Sequence, residues 1–354
     1  MAWQDPFQTL SERYPPAVCP ALTRQRADWA ERRPLQGLTI LDATPLYSNT
    51  LLKLATLQAA GATVWVGTGR TLPHDPALPA RLADYGLHLA TPVRLAEGFD
   101  MVLDCAGDFA DVPVRLGRAE LTRTGAHRYA SCAEPVYLAD GGRIKTFETA
   151  LGTGDGLMRG LATFGVTSLQ GRNVVLFGCG KVGQGILFRL LKAGADVTVV
   201  DPALRPTPLV RIREPRRGIA LSSTLAEAEV LITATGHKDA LHGLFTPADL
   251  RADVLLANMG AEDEFGVDFP EERVLNHKAP INFALDDPTR MDYIDPTMAL
   301  HNAAAERLLR EPALAPGLNL PTAEDEAPIL ASLPEPLLEE LRAFEVFRAE
   351  LLAP

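Results

Sequence analysis

Three glycines in the stretch "VVLFGCGKVGQGI" have the spacing of a phosphate-binding turn. Gly178, Gly180 and Gly183 lie between an apolar run and a helical pattern, the order found in a strand–turn–helix unit that binds a dinucleotide. The first glycine permits a tight turn, the second lets a pyrophosphate approach the backbone, and the third lets the helix pack closely on the strand. Backbone N–H groups at the start of that helix, which begins near Lys181 and Val182, then bind the phosphates.

An acidic residue follows at the distance expected for ribose binding. Asp201 ends the next apolar run, 201 − 178 = 23 residues after the first glycine of the turn. An acid at that position accepts a hydrogen bond from the ribose 2′-hydroxyl of NAD and disfavours the 2′-phosphate of NADP, although Arg205 lies nearby. The pattern therefore predicts NAD as the cofactor. Another adenine-containing ligand and a tight turn that binds nothing are the alternatives.

Two blocks of alternating strands and helices must position this motif. The first block has the strand patterns "GLTILDA", "GATVWVGTG" and "FDMVLDCAGD", with "PALPARLADYGLHLA" as a helix between them. The second has the strands "NVVLFG", "DVTVVD", "EVLITAT" and "DVLLANM", followed by "RVLN" and "PINFAL" as further strands. This rhythm predicts an α/β fold of two doubly wound parallel-sheet domains with a cleft between them. The glycine-rich "FETALGTGDGLMRGLATFG" is the predicted hinge, and "RIREPRRG" is expected to be a solvated loop.

Composition excludes several functional classes. The chain has 354 residues and a net charge of −11, which fits two domains and argues against a nucleic-acid-binding face. Its four cysteines form no CxxC pair and its seven histidines form no HxxxH pair, so neither a disulfide framework nor a metal site is expected. The start "MAWQDPFQTL" lacks the features of a leader, and no apolar run approaches the length of about 18 residues that a membrane helix needs. We therefore expect a cytoplasmic protein.

The order of several motifs resembles the S-adenosylhomocysteine hydrolase (adenosylhomocysteinase) family. The matching stretches run from about Cys19 to about Arg310 and are "CPALTRQRADWAERRPLQGLTI", "TLLKLATLQAAGATVWV", "LDCAGDFAD", "ELTRTGAHRY", "FGCGKVGQGI", "ITATGHKD" and "LLANMG". The resemblance implies a tightly held NAD that oxidises the ribose 3′-hydroxyl of the substrate, promotes loss of a thiol, and returns the hydride after water has added. We also expect a homo-oligomer, with a dimer favoured. The implied domains are a substrate domain of residues 1–153 plus 289–354 and a Rossmann NAD-binding domain of residues 154–288.

The resemblance places further residues beside the cofactor. Beyond the glycine turn and the acid already described, the implied cofactor-binding residues are Thr122, Thr124, Thr235, Gly236, Asn258 and Asn282. Asn282 matches an asparagine near the nicotinamide amide of the family.

The substrate half departs from the family pattern. Apolar or small residues replace polar ones that the hydrolase reaction needs, namely Pro45, Cys105, Leu121, Ile144 and Ala261. We therefore expect loss of the hydrolase reaction, because removing several groups that act together abolishes catalysis.

The remaining candidates for catalysis are Asp108, Lys145, Glu148, Cys105 and His127. Asp104, Cys105 and Asp108 follow a strand end, where open α/β sheets bind ligands, or else form a capped turn. Lys145 and Glu148 form an acid/base pair or an exposed ion pair, and His127 reaches the cleft or is an ordinary histidine.

These features predict an NAD-dependent enzyme that carries out hydride chemistry on a small polar hydroxylated or keto substrate. Two alternatives remain open. One is S-adenosylhomocysteine hydrolysis in a remodelled site, and the other is a non-catalytic NAD-binding regulator.

Overall fold

The chain folds into two compact units. The computed structural model describes residues 6–213, 218–311 and 314–353. The first unit comprises Met1–Lys145 and Ile294–Glu335, and the second comprises Thr146–Tyr293 and Pro336–Pro354. The sequence predicts boundaries at 153/154 and 288/289 and places residues 289–354 in the first unit. The last helix instead packs in the second unit, where Phe344 contacts the ring of Phe188 with centroids 5.5 Å apart.

Parallel strands form one sheet in each unit. The strands of the described residues are β1 Thr39–Asp42, β2 Thr63–Val66, β3 His88–Leu89, β4 Phe99–Asp104, β5 Val114–Glu120, β6 Pro135–Leu138, β7 Asn173–Phe177, β8 Asp196–Val200, β9 Arg211–Arg213, β10 Val230–Thr233, β11 Leu255–Asn258 and β12 Gly317–Asn319. Among those residues the first sheet has the order β12-β6-β5-β4-β1-β2-β3 and the second has the order β11-β10-β7-β8-β9. The predicted α/β class with two parallel sheets is confirmed.

Helices connect the strands. They are α1 Pro6–Arg13, α2 Pro20–Arg32, α3 Thr50–Ala59, α4 Pro92–Glu97, α5 Arg123–Tyr129, α6 Ile144–Thr146, α7 Thr153–Thr163, α8 Lys181–Lys192, α9 Gly218–Glu227, α10 Met291–Arg310, α11 Ala323–Leu330 and α12 Glu335–Leu351. A π-helical segment, Phe147–Gly152, joins α6 to α7 within the stretch predicted as a hinge. No helix in the described ranges is long and apolar enough to cross a membrane.

The order of each sheet reverses beside its first strand. In the second unit the chain leaves β7 for β8 and β9 on one side and returns to β10 and β11 on the other. In the first unit the same reversal falls between β1 and β4. Ligands of open α/β sheets bind beyond the carboxyl ends of the strands at such a reversal. Each unit therefore has one favoured edge for a site.

Several predicted elements are wrong. "RVLN" and "PINFAL" form 3₁₀ turns, Leu275–Lys278 and Ile281–Ala284, because left-handed residues and Pro280 interrupt any strand. "PALPARLADYGLHLA" forms a 3₁₀ helix, Pro79–Tyr85, and then β3 instead of one helix. The start of "RIREPRRG" is β9, while residues 214–217 of this run lie outside the described residues.

Candidate functional site

The first and third glycines of the turn are required by close packing. Gly178 has φ +91°, and a Cβ atom there would lie 2.4 Å from the carbonyl oxygen of Ala234. A Cβ atom on Gly183 would lie 2.2 Å from the carbonyl oxygen of Gly178. Real Cβ atoms do not approach backbone oxygens so closely. A side chain at Gly178 would clash with the chain after β10, and one at Gly183 would push α8 away from the turn. Both glycines have the roles that their spacing predicts.

The second glycine borders open space. A Cβ atom on Gly180 would meet no heavy atom within 4 Å, and this residue is exposed at the start of α8. Its φ of −69° and ψ of −163° are accessible to any residue, so the local backbone does not require glycine here. A phosphate group that approaches the N-terminus of α8 fits this open space. Lys181 is exposed and Val182 is half-buried in the first turn of the helix.

The acid predicted to bind the ribose lies beside the turn. The carboxylate of Asp201 accepts hydrogen bonds from the amides of Cys179 (2.6 Å) and Ala203 (2.8 Å). It is half-buried at the end of β8, next to the strand that leads into the turn. Burial raises the pKa of the neighbouring Cys179 thiol to about 12, so this cysteine stays protonated. The residues present fit the ribose and pyrophosphate of a dinucleotide.

The loops after β10 and β11 are held by buried polar side chains. Glu264 accepts hydrogen bonds from the amides of Thr235 (2.8 Å) and Gly236 (2.7 Å), and burial raises its pKa. Asn258 donates to the carbonyl oxygens of Glu262 (2.8 Å) and Lys278 (2.6 Å). The predicted cofactor-binding residues Thr235, Gly236 and Asn258 therefore help to hold the loops at the edge of the sheet. Their match to the family motifs did not indicate this role.

Asn282 lies in the 3₁₀ turn Ile281–Ala284, which follows the carbonyl of Lys278 that Asn258 binds. It is 8% exposed, and its side-chain amide makes no hydrogen bond to the rest of the described chain. A Cβ atom on Gly156 of α7 would lie 3.0 Å from the Cβ atom of Asn282, so this glycine gives the asparagine its room. A side-chain amide that is both a donor and an acceptor fits the carboxamide of a nicotinamide ring.

Two buried carboxylates organise the strand-end loops of the first unit. Asp104 accepts hydrogen bonds from the amides of Cys105 and Phe109 and from the hydroxyl of Tyr129. Burial and the nearby charge of Glu120 raise the pKa of Asp104 to about 7, against the hydrogen bond from Tyr129.

Glu120 accepts hydrogen bonds from the amides of Ala106, Gly107 and Thr122, and burial raises its pKa as well. Glu120 was not predicted from the sequence. The only signal was an acid at a strand end before the N-cap residue Thr122, whose hydroxyl accepts from the amide of Gly125 (3.0 Å).

The structure separates the five predicted catalytic residues by environment. Asp108 binds the amides of Arg70 and Thr71, and these hydrogen bonds outweigh burial and lower its pKa, which makes it a weak base. Cys105 is 5% exposed after β4. His127 lies in the last turn of α5 and is exposed, as is Thr124 in the first turn.

The last two candidates, Lys145 and Glu148, lie close together along the chain. Lys145 is buried at the end of the first unit, and Glu148 is half-buried in the π-helical segment that begins the second unit. Wide π-helical turns occur often at functional sites. A Cβ atom on Gly185 of α8 would lie 2.1 Å from the carbonyl oxygen of Ala150, so this segment packs directly on the helix that follows the glycine turn.

Parts of this chain match known proteins. Residues 166–269 match a family described as "Putative NAD(P)-binding". The chain is 28% identical to an S-inosyl-L-homocysteine hydrolase of Methanopyrus kandleri over 73% of this chain and 66% of the relative. It is 31% identical to a protein of the same name from Methanothermobacter thermautotrophicus, over 62% and 60% of the two chains. It is 29% identical to an adenosylhomocysteinase of Thermococcus kodakarensis, over 61% and 58%.

The matches confirm both the predicted resemblance and the dinucleotide cofactor. The chain covers less than two thirds of the length of each of these relatives.

Proposed function

We propose that this chain, a divergent relative of the adenosylhomocysteinases, is an NAD-dependent enzyme that acts on a small polar hydroxylated or keto substrate. The observation that carries the proposal is the open space around Gly180 at the N-terminus of α8, next to a turn whose Cys179 amide is bound by Asp201. The buried Asn282 supplies a side-chain amide in the same unit. A dinucleotide sensor needs only the adenosine and pyrophosphate contacts. An amide suited to the nicotinamide ring favours chemistry at that ring.

The residues of the second unit would hold the cofactor in a fixed orientation. The start of α8 would bind the pyrophosphate, Asp201 would accept from the adenosine ribose, and Asn282 would pair with the carboxamide of the nicotinamide. The bound NAD supplies a hydride acceptor that is able to return the hydride to the same substrate. Asp201 favours NAD over NADP, because a 2′-phosphate would bring a second anion against its carboxylate.

Lys145 and Glu148 are the proposed proton-transfer groups. Hydride removal from an alcohol carbon needs a base for the hydroxyl proton, and positioned bases of this kind typically contribute about 10²–10⁴ in rate. Asp108 is a poorer choice, because its oxygens already bind the backbone of Arg70 and Thr71. Cys105 and His127 remain proposals of lower rank, because the first is buried and the second is exposed on the surface of its own unit.

Hydrolysis of an S-nucleosyl-homocysteine is the second candidate, favoured by the names of the relatives. The residues that replace polar groups of that family argue against it. Leu121 and Ile144 are buried apolar side chains, and neither is able to transfer a proton.

The deciding experiment begins with denaturation of the purified protein and identification of the released nucleotide. The intact protein is then offered small hydroxy and keto acids, and in parallel S-adenosylhomocysteine and S-inosylhomocysteine. We expect released NAD, reduction of the bound cofactor by one of the hydroxy compounds, and no homocysteine. Glu148→Gln should abolish the reduction while leaving the nucleotide content unchanged. Release of homocysteine would establish the second candidate, and nucleotide without any reaction would favour the regulator.

A further inference from the structure

Three consecutive residues other than glycine lie in the left-handed region of backbone conformation. Asn276, His277 and Lys278 have φ values of 53°, 51° and 65°. Side chains are disfavoured in this region, and single residues occur there far more often than runs. Such strain persists only where surrounding contacts impose it, and it concentrates at ligand sites.

Both the main chain and the side chain of Lys278 are tied to the loop after β11. Its carbonyl oxygen accepts a hydrogen bond from Asn258 Nδ2 at 2.6 Å. Its Nζ donates to Asp263 Oδ2 at 2.9 Å and to the carbonyl oxygen of Gly266 at 2.7 Å. The left-handed turn is therefore fixed to the carboxyl end of β11 by one buried asparagine and one lysine.

The turn leads directly into Asn282. Asn276 Nδ2 donates to the carbonyl oxygen of Pro280 at 2.9 Å, which closes the turn around the intervening residues. Ile281 is fully buried in the core of the second unit and packs against Gly160 of α7. The chain thus enters Asn282 from a strained turn and an anchored apolar residue, so the backbone of Asn282 has little freedom to move.

Sheet order distinguishes the two ends of the site expected for a dinucleotide. Asp201 follows β8, on one side of β7, and marks the adenosine half. The loop after β11 lies on the opposite side of β7, beyond β10, and so faces the nicotinamide half. We propose that the left-handed turn 276–278, held by Asn258 and Lys278, positions the Asn282 amide for the nicotinamide carboxamide. This inference rests on the proposed function and makes Lys278 a positioning residue.

A comparison of NAD⁺ with ADP-ribose tests the inference, because ADP-ribose lacks only the nicotinamide ring. Both ligands are titrated by calorimetry into protein that has been cleared of nucleotide with charcoal. In Lys278→Met we expect about five- to tenfold weaker binding of NAD⁺, equivalent to roughly one lost hydrogen bond, and less than about a twofold change for ADP-ribose. Asn282→Ala should reproduce this selective loss. Lys192→Met, which removes an exposed lysine of α8, should change neither ligand.

His277→Gly provides a second test of the inference in case Lys278→Met does not fold. The side chain of His277 is exposed and glycine adopts φ +51° without strain, so the thermal midpoint should not fall. The more flexible turn should still weaken the binding of NAD⁺ without weakening the binding of ADP-ribose.

Equal losses for both ligands, or unchanged NAD⁺ binding in Lys278→Met and His277→Gly, would overturn the inference and leave the proposed function standing. Failure of the unmutated protein to bind either ligand would instead refute the proposed function, and this inference with it.

Discussion

Gly180→Ala and Gly183→Ala should separate cofactor binding from folding, although the two glycines belong to one turn. A methyl group on Gly180 meets nothing within 4 Å, and the backbone of this residue is already in a conformation open to alanine. Stability should therefore stay constant or rise by about 0.4–1 kcal/mol, since alanine restricts the unfolded chain. The same methyl group enters the space proposed for the pyrophosphate. Loss of about two charge-assisted hydrogen bonds would weaken NAD binding by roughly 3 kcal/mol, a factor of about 10².

Gly183→Ala should affect both properties. Its methyl group would lie 2.2 Å from the carbonyl oxygen of Gly178, so α8 must move by about 1 Å to restore an ordinary contact. Overpacking of this kind destabilises by about 1–3 kcal/mol. Denaturant unfolding and calorimetric titration with NAD measure the two effects on the same preparations. The reasoning is wrong if Gly180→Ala loses as much stability as Gly183→Ala, or if it binds NAD as tightly as the unmutated protein.

Four further predictions concern single side chains. Asp201→Ser should narrow the preference for NAD over NADP, and equal affinity of the unmutated protein for both cofactors in calorimetry would refute this. Asp295→Ala removes the carboxylate that accepts from two backbone amides at the start of α2, and should lower the free energy of unfolding by about 2 kcal/mol in denaturant titrations. Lys53→Met leaves the buried carboxylate of Asp42 without its ion-pair partner, and should lower the free energy of unfolding by about 3–5 kcal/mol. The pKa of Asp104 is raised to about 7 in the fold, whereas an unfolded aspartate ionises near pH 4. The free energy of unfolding should therefore fall as pH rises between these two values, by at most about 1.4 kcal/mol per pH unit. Asp104→Asn should reduce this pH dependence.

The glycine turn was predictable because each glycine obeys a local steric rule. Spacing along the sequence was enough to place Gly178 and Gly183 against backbone atoms and Gly180 against open space. The apolar run around Ile281 misled the prediction of a strand, since periodicity does not reveal that the preceding residues are left-handed. The role of Glu264 was not predictable either, because a sequence does not show which loop amides a buried carboxylate will bind in the folded chain.

The residues of the first unit that depart from the family pattern bear on the proposed change of substrate. The reversal in sheet order between β1 and β4 preserves a favoured place for a ligand, and Cys105 directly follows β4. Yet Leu121, Ile144 and Cys105 are all buried, so they form part of the packing rather than a solvated surface where replacements are neutral. Restoring a charged or polar group at any of them would require a new buried hydrogen-bond partner as well. The replaced residues are therefore packed against other buried side chains. This packing favours the proposal of a site rebuilt for another substrate over a hydrolase that has lost individual groups.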